Sequence, residues 1–67
     1  MTADQQTPYT TVQKRDAIAQ ELASRLRVYQ RRVLDGSMSR RQADEGIRVM
    51  RAILADYDAQ VAKERVR

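Results

Sequence analysis

The side chains able to do chemistry in this chain are Ser, Thr, Lys, Tyr, Asp, Glu and, above all, Arg. Neither His nor Cys occurs among the 67 residues. The hydroxyl and amine nucleophiles therefore lack the imidazole that most often activates them, and thiolate chemistry is absent. Asp56 and Asp58 stand two apart, so on a helix they point to different faces and make no paired-carboxylate site. Asp44-Glu45 suits the start of a helix, where carboxylates meet the positive end of the dipole and pair with Arg41 or Arg48. There is no Gly-rich phosphate loop, and a disulfide or a thiolate metal site is impossible. The sequence assigns no catalytic, metal or cofactor-binding residue and predicts a protein that is not an enzyme.

The cations are more informative. Lys and Arg together number 13 against 9 Asp and Glu, a net charge of +4, and all but Lys14 and Lys63 are Arg, whose planar fork suits carboxylates and phosphates. They concentrate mid-chain: Arg25, Arg27, Arg31, Arg32, Arg40, Arg41, Arg48 and Arg51 face only Asp35, Asp44 and Glu45. Three readings compete: plain solvated charge, a surface for an acidic protein, or a phosphate-backbone contact. A helix-turn-helix fits poorly, because its first helix should be short and the first helix here exceeds twenty residues.

The elements that position these residues are read from Leu34-Asp35-Gly36-Ser37-Met38-Ser39-Arg40-Arg41-Gln42. Gly36 suits the left-handed position just past a helix end. Ser39 is an N-cap, Gln42 completes a capping box, and Met38 and Ala43 occupy the two positions of a hydrophobic staple. A stop and a start this close predict two antiparallel helices. In the first, Val12, Ala19, Leu22, Leu26, Tyr29 and Val33 form a near-heptad seam; in the second, Ala43, Ile47, Met50, Leu54, Tyr57 and Val61 form a cleaner one. Folded at Gly36, the seams meet, with Tyr29 against the small Ala43. Gly46 marks either a close helix approach or a tolerated weak point costing about 1 kcal/mol relative to Ala.

The expected organisation is all-α: a disordered segment over 1–7, a helical hairpin over 8–64 (helix 8–35, turn 36–39, helix 40–64) and a frayed tail over 65–67. Thr7-Pro8 reads as the helix start, with Thr10 or Thr11 as alternative caps. No apolar run nears the roughly 20 residues that span a bilayer, and the polar N-terminus lacks the layout of a secretion signal. A soluble, intracellular protein is expected.

A hairpin this small rarely supplies more than about 3–5 kcal/mol from its own core. Ile18, Val28 and Leu34 flank the first seam, while Val49, Ile53 and Ala62 flank the second, so each helix is apolar over more than a coiled-coil stripe. A homodimer forming a four-helix bundle is the expected solution, with Ile18, Val28, Leu34, Val49 and Ile53 at its interface.

Arg27-Val28-Tyr29-Gln30-Arg31, Val33, Gly36, Met38-Ser39, Ala43-Asp44, Ile47, Val49-Met50 and Ala52-Ile53 resemble a family of small phage and prophage proteins. That family carries an R-V-Y-P-R stretch, a G-x-M-[ST] turn and an A-D-x-x-I-x-V-M-x-A-I second helix, and the likeness covers about residues 18–56. Gln30 departs from it by replacing a Pro that would disturb the helix. The resemblance implies a dimeric helical hairpin working in the cytoplasm of a bacterial host. It further implies an anti-activator that disables a quorum-sensing transcription factor. With it, the sequence predicts a modulator that covers a host regulatory protein through Val28, Arg31, Arg32, Arg48 and Arg51. A small nucleic-acid-binding regulator and a structural assembly module of a phage are the rival expectations.

Overall fold

The computed structural model describes residues 8–65, which form two helices and the turn between them. Helix α1 spans Thr11–Leu34 and helix α2 spans Arg40–Arg65, packed antiparallel. The expected segment over 1–7 and the end of the expected tail, 66–67, lie outside the described residues.

Helix α1 starts three residues later than the expected Pro8. Thr10 is extended (φ −76°, ψ 164°), and its hydroxyl accepts from the Gln13 N–H at 3.0 Å while Gln13 Oε1 accepts from the Thr10 N–H at 2.8 Å. This reciprocal box satisfies two helix-end donors at once, whereas a start at Pro8 would offer only a one-way cap, because three residues after Thr7 stands Thr10, which cannot reach back as a glutamine does. Ser39 opens α2 with the same device: its Oγ accepts from the Gln42 N–H at 3.0 Å and Gln42 Oε1 accepts from the Ser39 N–H at 3.1 Å.

Between these boxes α1 ends in a Schellman motif. The Ser37 N–H donates to the Arg32 carbonyl at 3.0 Å, the Gly36 N–H donates to the Val33 carbonyl at 3.3 Å, and Gly36 takes φ +84°. The apolar contact that often accompanies this motif is replaced by a polar one, with Arg32 Nε donating to the Ser37 hydroxyl at 3.3 Å.

The core is a single line of side chains. Leu22, Ala43, Met50 and Val61 are buried, each 5–8% exposed. Around them Ile18, Ala19, Tyr29, Val33, Ile47, Ile53, Leu54 and Tyr57 are half-buried. The seam of α1 is rotated from the expected one: Ile18 turns inward, while Val12 and Leu26 lie 38% and 40% exposed. Tyr29 explains the rotation. A Cβ built on Gly46 would stand 2.9 Å from Tyr29 Cε2, so the ring is seated where only glycine leaves room. Tyr29 thus meets Gly46, one turn along α2 from Ala43, with which it lines the same depression, and Gly46 marks a close approach.

Candidate functional site

Seating Tyr29 on Gly46 leaves two flanks beside the seam. Ile47 and Ile53 each lie three residues from buried Met50, about 60° to either side of it, so they belong to opposite flanks.

On the Ile47 flank, at the turn end, the surface is concave. Two adjoining depressions share Leu26, Asp44 and Ile47 as walls. Val33, Leu34 and Arg40 extend the first, toward the turn, and Arg48 and Arg51 extend the second, along α2. Together they make one groove between the helices. Leu26 (40% exposed) and, at its turn end, Leu34 (81%) leave much of its apolar lining open to water. Its rim is basic. Arg40 and Arg51 make no ion pair among the described residues, and Arg48 approaches Glu45 only at 4.0 Å.

The Ile53 flank differs in shape and charge. Toward the open end, Ile53 and Tyr57 line a shallow depression with Thr11, Lys14, Asp56 and Gln60. Arg25 Nε meets Glu21 Oε2 at 3.0 Å on this side, and Glu21 first, with the Tyr29 hydroxyl after it, pushes the Arg25 guanidinium still higher than its ordinary value. Val28 (40% exposed) and Val49 (50%) stand bare on this flank toward the turn.

The sequence-expected contact residues are thus divided. Arg48 and Arg51 share the groove wall. Arg32 is engaged in the turn through Ser37, and Arg31 and Val28 are exposed away from the groove. The expected dimer-interface residues divide likewise. Ile18 and Ile53 are partly consumed by the hairpin's own seam, Val28 and Val49 remain exposed on one flank, and Leu34 lines the groove on the other. Leu26 and Arg40 belong with the groove and were not among the expected site residues. Their signal was available, because Leu26, Val33, Arg40 and Ile47 recur every seven residues through the turn.

Polar side chains gather at the open end of the hairpin. The Thr11 hydroxyl donates to Glu64 Oε2 at 2.8 Å and Gln60 Nε2 donates to the same oxygen at 3.1 Å. Those two bonds, Thr11 first, hold the Glu64 carboxyl below the usual carboxylate range. Arg15 bridges Asp16 (2.9 Å) and, across the helices, Asp58 (3.3 Å). Among the described residues no group of three His, Cys, Asp or Glu is placed to hold a metal ion, and no helix is long and apolar enough to cross a membrane. Compared with known proteins, the chain matches no family model, no curated protein and no solved structure.

Proposed function

We propose that this protein works by binding other polypeptides, without catalysis, and that it does so as a homodimer. One observation carries the reading: apolar side chains stand exposed on both flanks of a hairpin whose buried core is a single line. Val28 and Val49 on one side, and Leu26 and Leu34 on the other, are 40–81% exposed. A two-helix unit with so little interior gains stability by covering such surface with another chain. The Ile53 flank is the one that a second copy covers. Its charges are of both signs, Lys14 and Arg25 beside Glu21 and Asp56, so two copies related by a twofold axis meet there without net repulsion.

On the resemblance of residues 18–56 to phage and prophage hairpin proteins, the partner of the dimer is a bacterial regulatory protein, an autoinducer-responsive activator, inhibited by having its working surface covered. Two measurements test this. Sedimentation at micromolar concentration gives twice the chain mass, and Val28→Asp with Val49→Asp halves it while circular dichroism stays helical. Expression of the chain in a bacterium that reports autoinducer-responsive transcription lowers the signal. A wild-type chain that sediments alone removes the dimer, and an unchanged reporter removes the proposed target.

A further inference from the structure

The turn-end groove has a floor suited to many apolar ligands and a rim suited to few. Leu26, Val33 and Ile47 line the groove with Leu34 exposed at its turn end, Arg40, Arg48 and Arg51 line it as well, and among the described residues Asp44 is the only carboxylate in the walls. Unlike Arg25, which is paired with Glu21, and Arg15, which is paired with Asp16 and Asp58, Arg40 and Arg51 have no carboxylate of their own.

Charge decides the occupant. A second copy laid face to face on this groove would set one arginine rim against another, with one Asp44 per chain to offset it, and juxtaposed like charges disfavour that partner. A trough between two helices with an apolar floor is the shape that receives a third helix, anchored at residues spaced i, i+3 or i+4, and i+7. Carboxylates flanking those anchors would meet guanidinium forks able to bind them through two parallel hydrogen bonds.

We propose that the groove between Leu26 and Ile47 is the docking site for an acidic amphipathic helix of the partner protein, its apolar anchors on the floor and its carboxylates on Arg40, Arg48 and Arg51. The assignment rests on the protein-binding reading above and adds which element of the partner is bound and by which chemistry.

The test uses the full chain and two labelled synthetic helical peptides with the same leucine spacing, one flanked by Glu and one by Lys, beside a single-stranded oligonucleotide of equal length. Fluorescence anisotropy shows the Glu peptide binding at least about tenfold more tightly than the Lys peptide, as expected where charge complementarity selects the partner. Arg40→Glu with Arg51→Glu, both on exposed positions, loses at least about tenfold toward the Glu peptide. Lys63→Glu with Arg65→Glu, which changes net charge equally at the far end of α2, does not. Leu26→Ser weakens the Glu peptide and leaves the sedimenting mass unchanged. Equal binding of the two peptides overturns the proposal, as does equal loss from both charge-reversed pairs or tighter binding of the oligonucleotide. A Leu26→Ser chain that sediments as a monomer also overturns it, by making the groove the self-interface. In each of those cases the protein-binding reading is still judged separately, by the effect of Val28→Asp and Val49→Asp on mass and by the transcription reporter.

Discussion

The two ends of the hairpin are fastened by different chemistry. At the closed end the backbone does the work: a Schellman motif, a glycine at φ +84° and a Ser39–Gln42 box lie within a few residues of one another in sequence. Just inward of it, Tyr29 seats on Gly46. At the open end the fastening is made by side chains that are far apart in sequence. Half-buried Thr11 reaches exposed Glu64, and half-buried Arg15 reaches exposed Asp58. Fixing backbone costs about 1–2 kcal/mol per residue in entropy, but at the closed end the bonded groups are close in sequence and most of the bonds join uncharged backbone groups. Exposed side-chain pairs order long chains for a modest return and respond to salt and pH. The closed end is therefore held mostly by local bonds and the open end by long-range ones, and the groove proposed for a partner helix sits beside the closed end.

That contrast breaks most visibly at Gly46. A valine there drives its branches into the Tyr29 ring, and overpacking of this kind costs about 1–3 kcal/mol. In urea the Gly46→Val chain unfolds at a lower midpoint, and combined with Tyr29→Ala it loses less than the sum of the two single variants, because the valine no longer meets the ring. Gly46→Ala sharpens the point. At a helix position without a neighbour, alanine would stabilise by about 1 kcal/mol. Here the new Cβ meets Cε2 at 2.9 Å, so the gain is cancelled by displacement of the ring. A full gain of helix propensity would mean that the ring does not rest on Gly46.

The turn itself comes next. Gly36→Ala puts a Cβ into left-handed backbone and costs about 1–2 kcal/mol, although nothing lies within 4 Å of the new methyl. Ser39→Ala removes the acceptor of the Gln42 N–H and costs about 1 kcal/mol. Thermal or urea unfolding of each single variant measures both.

The closed end was legible in the sequence because its determinants are adjacent: Gly36, Ser39 and Gln42 specify their own backbone. The α2 seam was legible for a similar reason, since its apolar residues keep a regular spacing from Ala43 to Val61. The start of α1 was readable too, through the Thr10 and Gln13 pair, but Pro8 gave a competing signal from one residue type alone. What sequence spacing could not supply is the rotation of α1. Ile18 and Leu26 lie symmetrically about Leu22, and only the fit of Tyr29 to Gly46 across the seam decides which turns inward. The clasp at the open end is hidden for the same reason, because nothing near Thr11 announces Glu64, 53 residues away. For the candidate site, spacing could name the arginines but not separate them. Arg32 and Arg48 look alike in the sequence, and one is held by Ser37 while the other stands at the groove.

The smallest effect tests the open end through pH. Bonds from Thr11 and Gln60 favour the charged form of Glu64 in the folded chain, so its folded pKa lies below its unfolded one. A depressed carboxylate contributes stability that is fully present above the unfolded pKa and is lost as pH falls through the folded value. The loss therefore falls in the acid range, beginning near the ordinary Glu value of about 4.3 and continuing below it. Asp35 at the closed end behaves in the same direction, held low by the Ser37 hydrogen bonds, so acid weakens both ends and the wild-type chain alone cannot separate them. Thr11→Val can. It removes the hydroxyl donor while keeping the side-chain shape, and it flattens the acid limb of the urea midpoint by the Thr11 part of the Glu64 share, the Gln60 bond remaining. Ser37→Ala trims the Asp35 share. Amide exchange, referred to the intrinsic rate at each pH, locates the difference: acid lowers protection in the first turns of α1 and the last turns of α2, and the Thr11→Val chain has lower protection there already at neutral pH. If acid instead opens the segment around Gly36 first, the closed end is the weaker of the two, and the long-range clasp at Thr11 and Glu64 is not what acid releases.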